Sequence, residues 1–441
     1  MLVAGLSRAS ALWLIAISLS ALGAGFFLIL RRRFGIAPAI AAAVALCAVP
    51  VVAWSVCLVM VDISSSMVAF FAVLAFVHFA NCPSWRRSAL FGVLAAAAIL
   101  TKNSSYYILL VPGLYIVAGS KWSLLKVRSF WLAPILVVGL YGPWLLISRS
   151  ALLVGTVGLD LPSFWGFTGK FLAALWRETS FLLIPATVGA FFVLRRRKEA
   201  SALELCLLAT VPASLVAVVA ARVPVQERLF IVVYMAVIFF ALLGLTEVLS
   251  LMRVRSRIAV NAVLVLFFGV YIKLNWMDFR RPPQNDMRQA VEFINRYDVG
   301  QSGAILVSSA REGPWIAEFV QSEDSRPKRI FVRPTKVFCD ESWNATGYRP
   351  LLRTVDELSV KLDELPVRYV IRDSTQPSHD YLHDHLLDQL IQAHPDLWKK
   401  CFVSDGSSPA GYVIYQNMKW SPDSQSKLYA GLKKQFLSKW R

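Results

Sequence analysis

Lys102 is the residue whose type and setting ask most directly for a chemical role. It closes the alanine-rich apolar run Leu90–Lys102 and is followed by Asn103, Ser104 and Ser105. A lysine recessed among hydroxyls can bind phosphate as a point charge; the alternative is a side chain that snorkels to water. Asp62 stands in Met60-Val61-Asp62-Ile63-Ser64-Ser65-Ser66, at the end of another apolar run. It could serve as a metal ligand, a sugar-hydroxyl acceptor or the partner of a buried cation, or it could only cap the next helix. Arg222, Glu227 and Arg228 crowd a short segment between two apolar helices. Arginine suits bidentate phosphate binding, whereas Glu227 with an arginine also makes a plain interfacial pair. Arg177-Glu178 carries the same ambiguity, and there the structural pair is the favoured reading.

Weaker signals lie further on. His379 and His383 have the i, i+4 spacing of a metal pair but lack the glutamate of a zincin motif, so His379, His383 and His385 read as a solvated helix face. Cys339 and Cys401 could form a disulfide. The sequence has no P-loop, no Gly-rich nucleotide loop and no Ser-His-Asp arrangement, which argues against a cytosolic nucleotide site.

The elements that must position these residues are apolar. Of 441 residues, 56% are hydrophobic and only 17% charged, with a mean hydropathy of +0.55. An ordinary soluble domain carries about a quarter charged residues, so this composition excludes a cytosolic enzyme, a disordered chain and a small disulfide scaffold, and leaves a polytopic membrane protein. The charge is uneven. Through Arg281 there are 25 basic and 8 acidic residues, a net +17; the remaining 21 basic and 20 acidic residues leave +1. A total of +18 raises the question of nucleic acid, but here the cations occupy short loops between apolar runs, where the positive-inside rule accounts for them.

Ten apolar runs fit helices: 11–30, 37–60, 65–81, 88–101, 104–118, 129–148, 178–194, 203–221, 229–251 and 258–277. A span needs about 20 apolar residues, and the fourth and fifth runs are short. The run 88–101 rises only ~21 Å at about 1.5 Å per residue, against about 30 Å of hydrocarbon, so the turn at Lys102 is expected to sit recessed, facing a water-filled cavity. Every second loop is basic: Arg31–Arg33, Arg86-Arg87, Lys121 to Arg128, Arg195 to Lys198 and Arg253 to Arg257. These five loops are assigned to the cytoplasm. Both termini then fall outside, and the chain reads as lacking an upstream helix.

Residues 1–279 are therefore expected to form the membrane domain and 280–441 a small extracytoplasmic α/β domain. The second part alternates helical and strand patterns. Strands are expected at 304–308, 329–333, 367–372 and 411–416, and helices at 286–297, 315–320, 354–365 and 379–393. The third helix opens with a Thr-x-x-Glu capping box.

The stretch Ala37–Gly119 resembles the membrane glycosyltransferases of GT-C type, of the protein-mannosyltransferase and aminoarabinose-transferase kind (family 39 or 83). The resemblance rests on the Pro50-to-Asp62 helix end and on Leu90–Lys102 (LFGVLAAAAILTK). Val225–Leu243 (VQERLFIVVYMAVIFFALL) is similar to a late helix of the same family. The resemblance implies a GT-C-like fold in the bacterial inner membrane. It implies transfer of a sugar from a polyprenyl-phosphate carrier to a lipid, glycan or protein acceptor at the outer face. It also implies that Lys102 and Arg228 engage the carrier phosphate, with Asp62 as the supporting acidic residue near the donor sugar or a metal; Arg222 is counted with them as a phosphate-binding candidate from its place in the same charged segment. Leu229 stands where the family has a tyrosine. The family's first helix and first outer loop, with its catalytic acidic residue, have no counterpart here, so no catalytic base is assigned. No cofactor is assigned either, and a divalent metal stays open. The rival readings are a catalytically inactive or truncated homologue and a lipid-linked-glycan binding or transport protein.

Overall fold

Long apolar segments satisfy their backbone groups away from water by becoming helices. The computed structural model describes residues 8–57, 61–154, 164–221, 225–254, 256–279, 287–297, 303–309, 312–322, 330–340, 349–365, 367–373, 381–404 and 412–421. The chain divides into two compact units, Met1–Arg281 and Pro282–Arg441.

The first unit is helical: α1 Arg8–Phe34, α2 Ile36–Cys47, α3 Pro50–Cys57, α4 Asp62–Asn81, α5 Trp85–Thr101, α6 Val111–Gly119, α7 Leu132–Val154, α8 Phe164–Thr179, α9 Leu183–Arg195, α10 Ala202–Ala221, α11 Ile231–Leu251 and α12 Arg257–Phe279. Among the described residues, seven helices are long and apolar enough to cross a membrane, or eight if the bent pair α2–α3 counts as one span. This is a multi-pass membrane architecture. Each of the ten apolar runs coincides with helix, but not each with a span. The seventh run, 178–194, takes in α9 but only the last two residues of α8, which no run anticipated; the two helices together make the stretch Trp165–Arg195. The fifth is split between a 3-10 turn, Asn103–Leu109, and the nine-residue α6.

Local chemistry explains the breaks. Pro50 has no N–H and disfavours a helical residue before it, and α2 and α3 meet there at 64°. Ser84 caps α5 by accepting the Arg87 amide at 3.4 Å. α11 is the central helix: 83% of its apolar window is buried, against 17% for α12. It packs on α9 through Gly189 and Gly244. A Cβ on Gly189 would collide with the Phe240 carbonyl, and one on Gly244 with the Pro185 carbonyl. Small residues of this kind let membrane helices approach closely.

The second unit contains a five-stranded sheet built from β1 Ala304–Ser308, β2 Ile330–Val332, β5 Val367–Asp373, β6 Trp398–Val403 and β7 Tyr412–Asn417; β3 Cys339–Asp340 and β4 Arg349–Pro350 pair separately. The order is β2-β1-β5-β7-β6, parallel from β2 to β5 and antiparallel beyond. Its helices are α13 Met287–Tyr297, α14 Glu312–Ser322, α15 Pro334–Val337, α16 Val355–Glu364 and α17 Leu382–Ala393. Strand alternation separates two cores. Ala304 and Leu306 pack with Leu358 of α16 and Leu387 of α17. Ile305 and Val307 pack with Val291 of α13 and Trp315 of α14. Thr354 accepts the Glu357 amide at 3.2 Å, the cap expected from the sequence.

Two expectations are corrected here. His383 is buried, 2% exposed, with its ring stacked on Tyr381, whereas His385 faces solvent. Its side of α17 is turned inward by the leucines flanking it, while His379 lies outside the described residues. Cys339 and Cys401 are free thiols. Cys339 sits against the Thr335 carbonyl at 3.2 Å and Cys401 against that of Ile414 at 3.3 Å. They stand on strands of different sheets.

Candidate functional site

Three segments distant in sequence converge on one polar cleft. The first is the start of α4, which presents Asp62, Ser65 and Ser66. The second is the turn after α5, with Lys102, Ser104, Ser105 and Tyr107. The third is the 3-10 turn Glu227–Phe230 leading into α11, with Arg228 and Leu229. The cleft is small, about 200 Å³.

Backbone geometry builds its floor. α5 ends at Thr101, whose hydroxyl donates to the Ala97 carbonyl at 2.8 Å. Lys102 then turns extended, with φ −155° and ψ 121°, while its amide still reaches Ala98 at 3.0 Å. Seventeen helical residues rise about 26 Å, short of the hydrocarbon thickness. The following turn is fixed on both sides. The hydroxyls of Ser65 and Ser105 hydrogen-bond at 2.6 Å, and Tyr106 donates its hydroxyl to the Ala217 carbonyl at 2.6 Å.

Lys102 donates from Nζ to Asp62 Oδ1, forming an ion pair in which the carboxylate is 3% and the lysine side chain 21% exposed. The helix-cap reading of Asp62 is thereby corrected. Asp62 is the first residue of α4, Val61 is the cap, and no side-chain cap bond forms. Its carboxylate is drawn to the nearby ammonium instead, and its place in the first turn of α4 adds a favourable dipole interaction. Lys102 does not snorkel; it points at Asp62 within the protein. Arg228 donates from Nε to Gln226 Oε1 at 2.9 Å and lines the same cleft. With two cations and one carboxylate, the cleft carries a net single positive charge. Arg222 lies outside the described residues.

A second polar group adjoins through the Glu227–Phe230 turn. Arg177 pairs with Glu227 at 2.8 Å rather than with its neighbour Glu178. The buried Glu178 accepts the Val51 amide at 2.7 Å, supplying the cap that Pro50-Val51 lacks at the start of α3. Tyr271 donates to the Glu178 carbonyl at 2.7 Å and Tyr234 to that of Glu227 at 2.9 Å. These bonds hold the turn that carries Arg228. Sequence reasoning gave Glu178 only a local pair, because nothing near it in the chain points to Val51. Ser65, Ser66 and Tyr107 were also missed as lining residues; the serine runs beside Asp62 and Lys102 were the available signal.

No family model matches the chain, and no curated protein does. Among solved structures, the crystal structure of ArnT from Cupriavidus metallidurans bound to undecaprenyl phosphate aligns over 95% of this chain and 85% of that one, at 15% identity and a TM-score of 0.46.

The donor set does not suit a divalent cation. Among the described residues no group of three or more His, Cys, Asp or Glu side chains gathers. Asp62 faces cations, whereas hard divalent ions require several oxygen ligands. The lining, an ammonium, a guanidinium and serine hydroxyls, is by its chemistry suited to an anion rather than to a cation.

Proposed function

We propose that the chain is an integral membrane glycosyltransferase of GT-C type, using a sugar linked to polyprenyl phosphate and a lipid, glycan or protein acceptor. Lys102 and Arg228 hold the donor phosphate, with Asp62 setting the position of Lys102. The Lys102 cleft faces the outer side of the bacterial inner membrane, as does the α/β unit. The observation that carries this reading is the meeting of Lys102 and Arg228 in one recessed cleft. An apolar cavity of about 750 Å³, lined by Phe76, Phe79, Phe91 and Phe130, borders α5. Phe91 precedes Lys102 by 11 residues, about 16 Å along a helix, a reach suited to an isoprenoid tail attached to a headgroup at Lys102.

The charge fits the reaction. A sugar phosphodiester is a monoanion, matched to a cleft of net +1. As the acceptor oxygen attacks the anomeric carbon, the bond from that carbon to the phosphate oxygen breaks and its electron pair leaves with the polyprenyl phosphate. The negative charge on the phosphate rises, and preorganised cations stabilise it more than the ground state. The acceptor proton passes to a base that is not assigned; Asp62 is engaged by Lys102. That engagement is the specific observation favouring a second reading, in which the protein binds a lipid-linked glycan without turning it over.

Equilibrium binding and turnover of a labelled polyprenyl-phosphate sugar by the purified protein in lipid nanodiscs test both. Arg228→Gln should weaken donor binding on the order of tenfold, which corresponds to about 1.4 kcal/mol. Binding unchanged by Arg228→Gln and by Lys102→Ala removes the proposal. Binding with no sugar transfer to any lipid, glycan or protein acceptor selects the second reading.

A further inference from the structure

The far end of the membrane unit holds a second cationic cleft, larger and of different make. α1 carries the chain from Arg8 to Arg33, and α2–α3 bring it back toward Asp62; α11 runs from just after Arg228 to Leu251. Arg33 and Arg253 therefore lie at the opposite ends of their helices from the Asp62 cleft, and 21 residues of α11 separate the two by about 31 Å. Here Arg33, Arg253 and Arg257 line a cleft of about 1370 Å³ together with Thr246, Ser250 and Asn261, over an apolar floor that includes Phe34, Val260 and Leu264.

The arginines are not equally engaged. Arg33 pairs with the buried Glu204 at 2.7 Å. Glu247, on the same helix as Thr246 and Ser250, is taken by Arg196 at 2.5 Å. Among the described residues, Arg253 and Arg257 meet no carboxylate. Three guanidiniums against Glu204 leave the cleft at +2. A second observation is independent of charge. α11 ends with a hydrogen bond from the Val254 N–H to the Leu249 carbonyl at 3.1 Å, and Arg253 sits in that closure with φ +59°. This is the left-handed position that helix ends ordinarily give to glycine. A non-glycine residue there is strained, and such strain gathers where a side chain has a task. Gly35, at φ +88°, also lines the cleft and lets the chain turn directly from α1 into α2.

We propose that this cleft binds the phosphate headgroup of an anionic phospholipid of the leaflet at that end. Arg253 and Arg257 contact the phosphate, Asn261 and Ser250 hydrogen-bond the glycerol portion, and the acyl chains start along Val260 and Leu264. Basic pockets between membrane helices recognise such headgroups by charge and shape together. The mixed polar and apolar lining favours a lipid over a free phosphate ion, which would gain nothing from the apolar floor. The site is separate from the donor cleft and does not depend on the glycosyltransferase reading.

The test is native mass spectrometry of the full chain in detergent, titrated with short-chain phosphatidylglycerol, phosphatidylcholine or inorganic phosphate. Phosphatidylglycerol should bind at least on the order of tenfold tighter than phosphatidylcholine, and Arg253→Gly and Arg257→Gln should each reduce it. Arg253→Gly also relieves the left-handed strain, so loss of folding does not account for its effect. Equal retention of both lipids, binding unaffected by either arginine variant, or displacement of the lipid by stoichiometric inorganic phosphate overturns the proposal.

Discussion

The two ends of the membrane unit solve opposite problems with the same residue types. At one end Lys102 is confined in a cleft of about 200 Å³ and countered by the nearly fully buried Asp62. At the other, arginines rim a cleft of about 1370 Å³, and the one buried carboxylate, Glu204, has further partners in Ser201. Confinement makes the first pair interdependent. Openness leaves the second set available to a ligand from the bilayer. The difference shows that a cation's role in a membrane protein follows from how completely its counter-charge depends on it.

Lys102→Ala should produce the largest effect. It strands the Asp62 carboxylate and should cost about 3–5 kcal/mol of stability, read as a drop in the detergent melting temperature. The double variant Asp62→Leu/Lys102→Met should recover most of that loss. Additive losses would show the pair to be energetically independent.

Arg33→Ala should cost less, about 1–3 kcal/mol. Glu204 keeps hydrogen bonds from the Ser201 amide and hydroxyl at 2.7 and 2.8 Å when the guanidinium is removed. A cost equal to that of Lys102→Ala would erase the contrast between the ends.

Arg253→Gly should change stability in the other direction, by up to about 1 kcal/mol in favour of folding, because the left-handed conformation costs an L residue roughly 1–2 kcal/mol and glycine's larger entropy loss offsets only part of that. Destabilisation would mean that the Arg253 side chain holds the helix end together.

The α/β unit supplies a pH dependence that neither end should share. Burial lowers the His383 pKa below its ordinary 6.5, and Arg372 adds to the shift while Asp384 opposes it. The unfolded chain then binds the proton more readily than the folded one. Stability contributed by His383 is full above pH about 6.5 and declines as pH falls below it. Hydrogen-exchange protection factors in β5 and α17 of the full chain, corrected for the intrinsic rate at each pH, should fall between pH 7 and about pH 5, and His383→Asn should flatten the change. An equal fall in α9 and α11 would assign it to another group.

Much of the architecture was legible from local pattern. The apolar runs marked the helices because lipid-facing or fully buried helices need unbroken apolar sequence. β1, β5 and β7 were found within a residue or two. β6 was not, since Trp398-Lys399-Lys400 lacks the alternation of a half-buried strand; as an edge strand it leaves both lysines exposed. Lys102, Asp62 and Arg228 could be nominated singly because charge at the end of an apolar run is costly.

The sequence by itself determined where helices form, where charge is concentrated and which residues had to be explained. Only the tertiary structure decided their partners. Lys102 takes Asp62 from 40 residues away and Glu178 the Val51 amide from 127. His383 goes inward, the two cysteines stay apart, and Arg253 occupies a left-handed helix end beside Arg257. The reason is physical: hydrophobic periodicity is set by neighbours along the chain, whereas a buried charge settles against whichever opposite charge or backbone dipole the packing of distant helices brings within hydrogen-bonding reach.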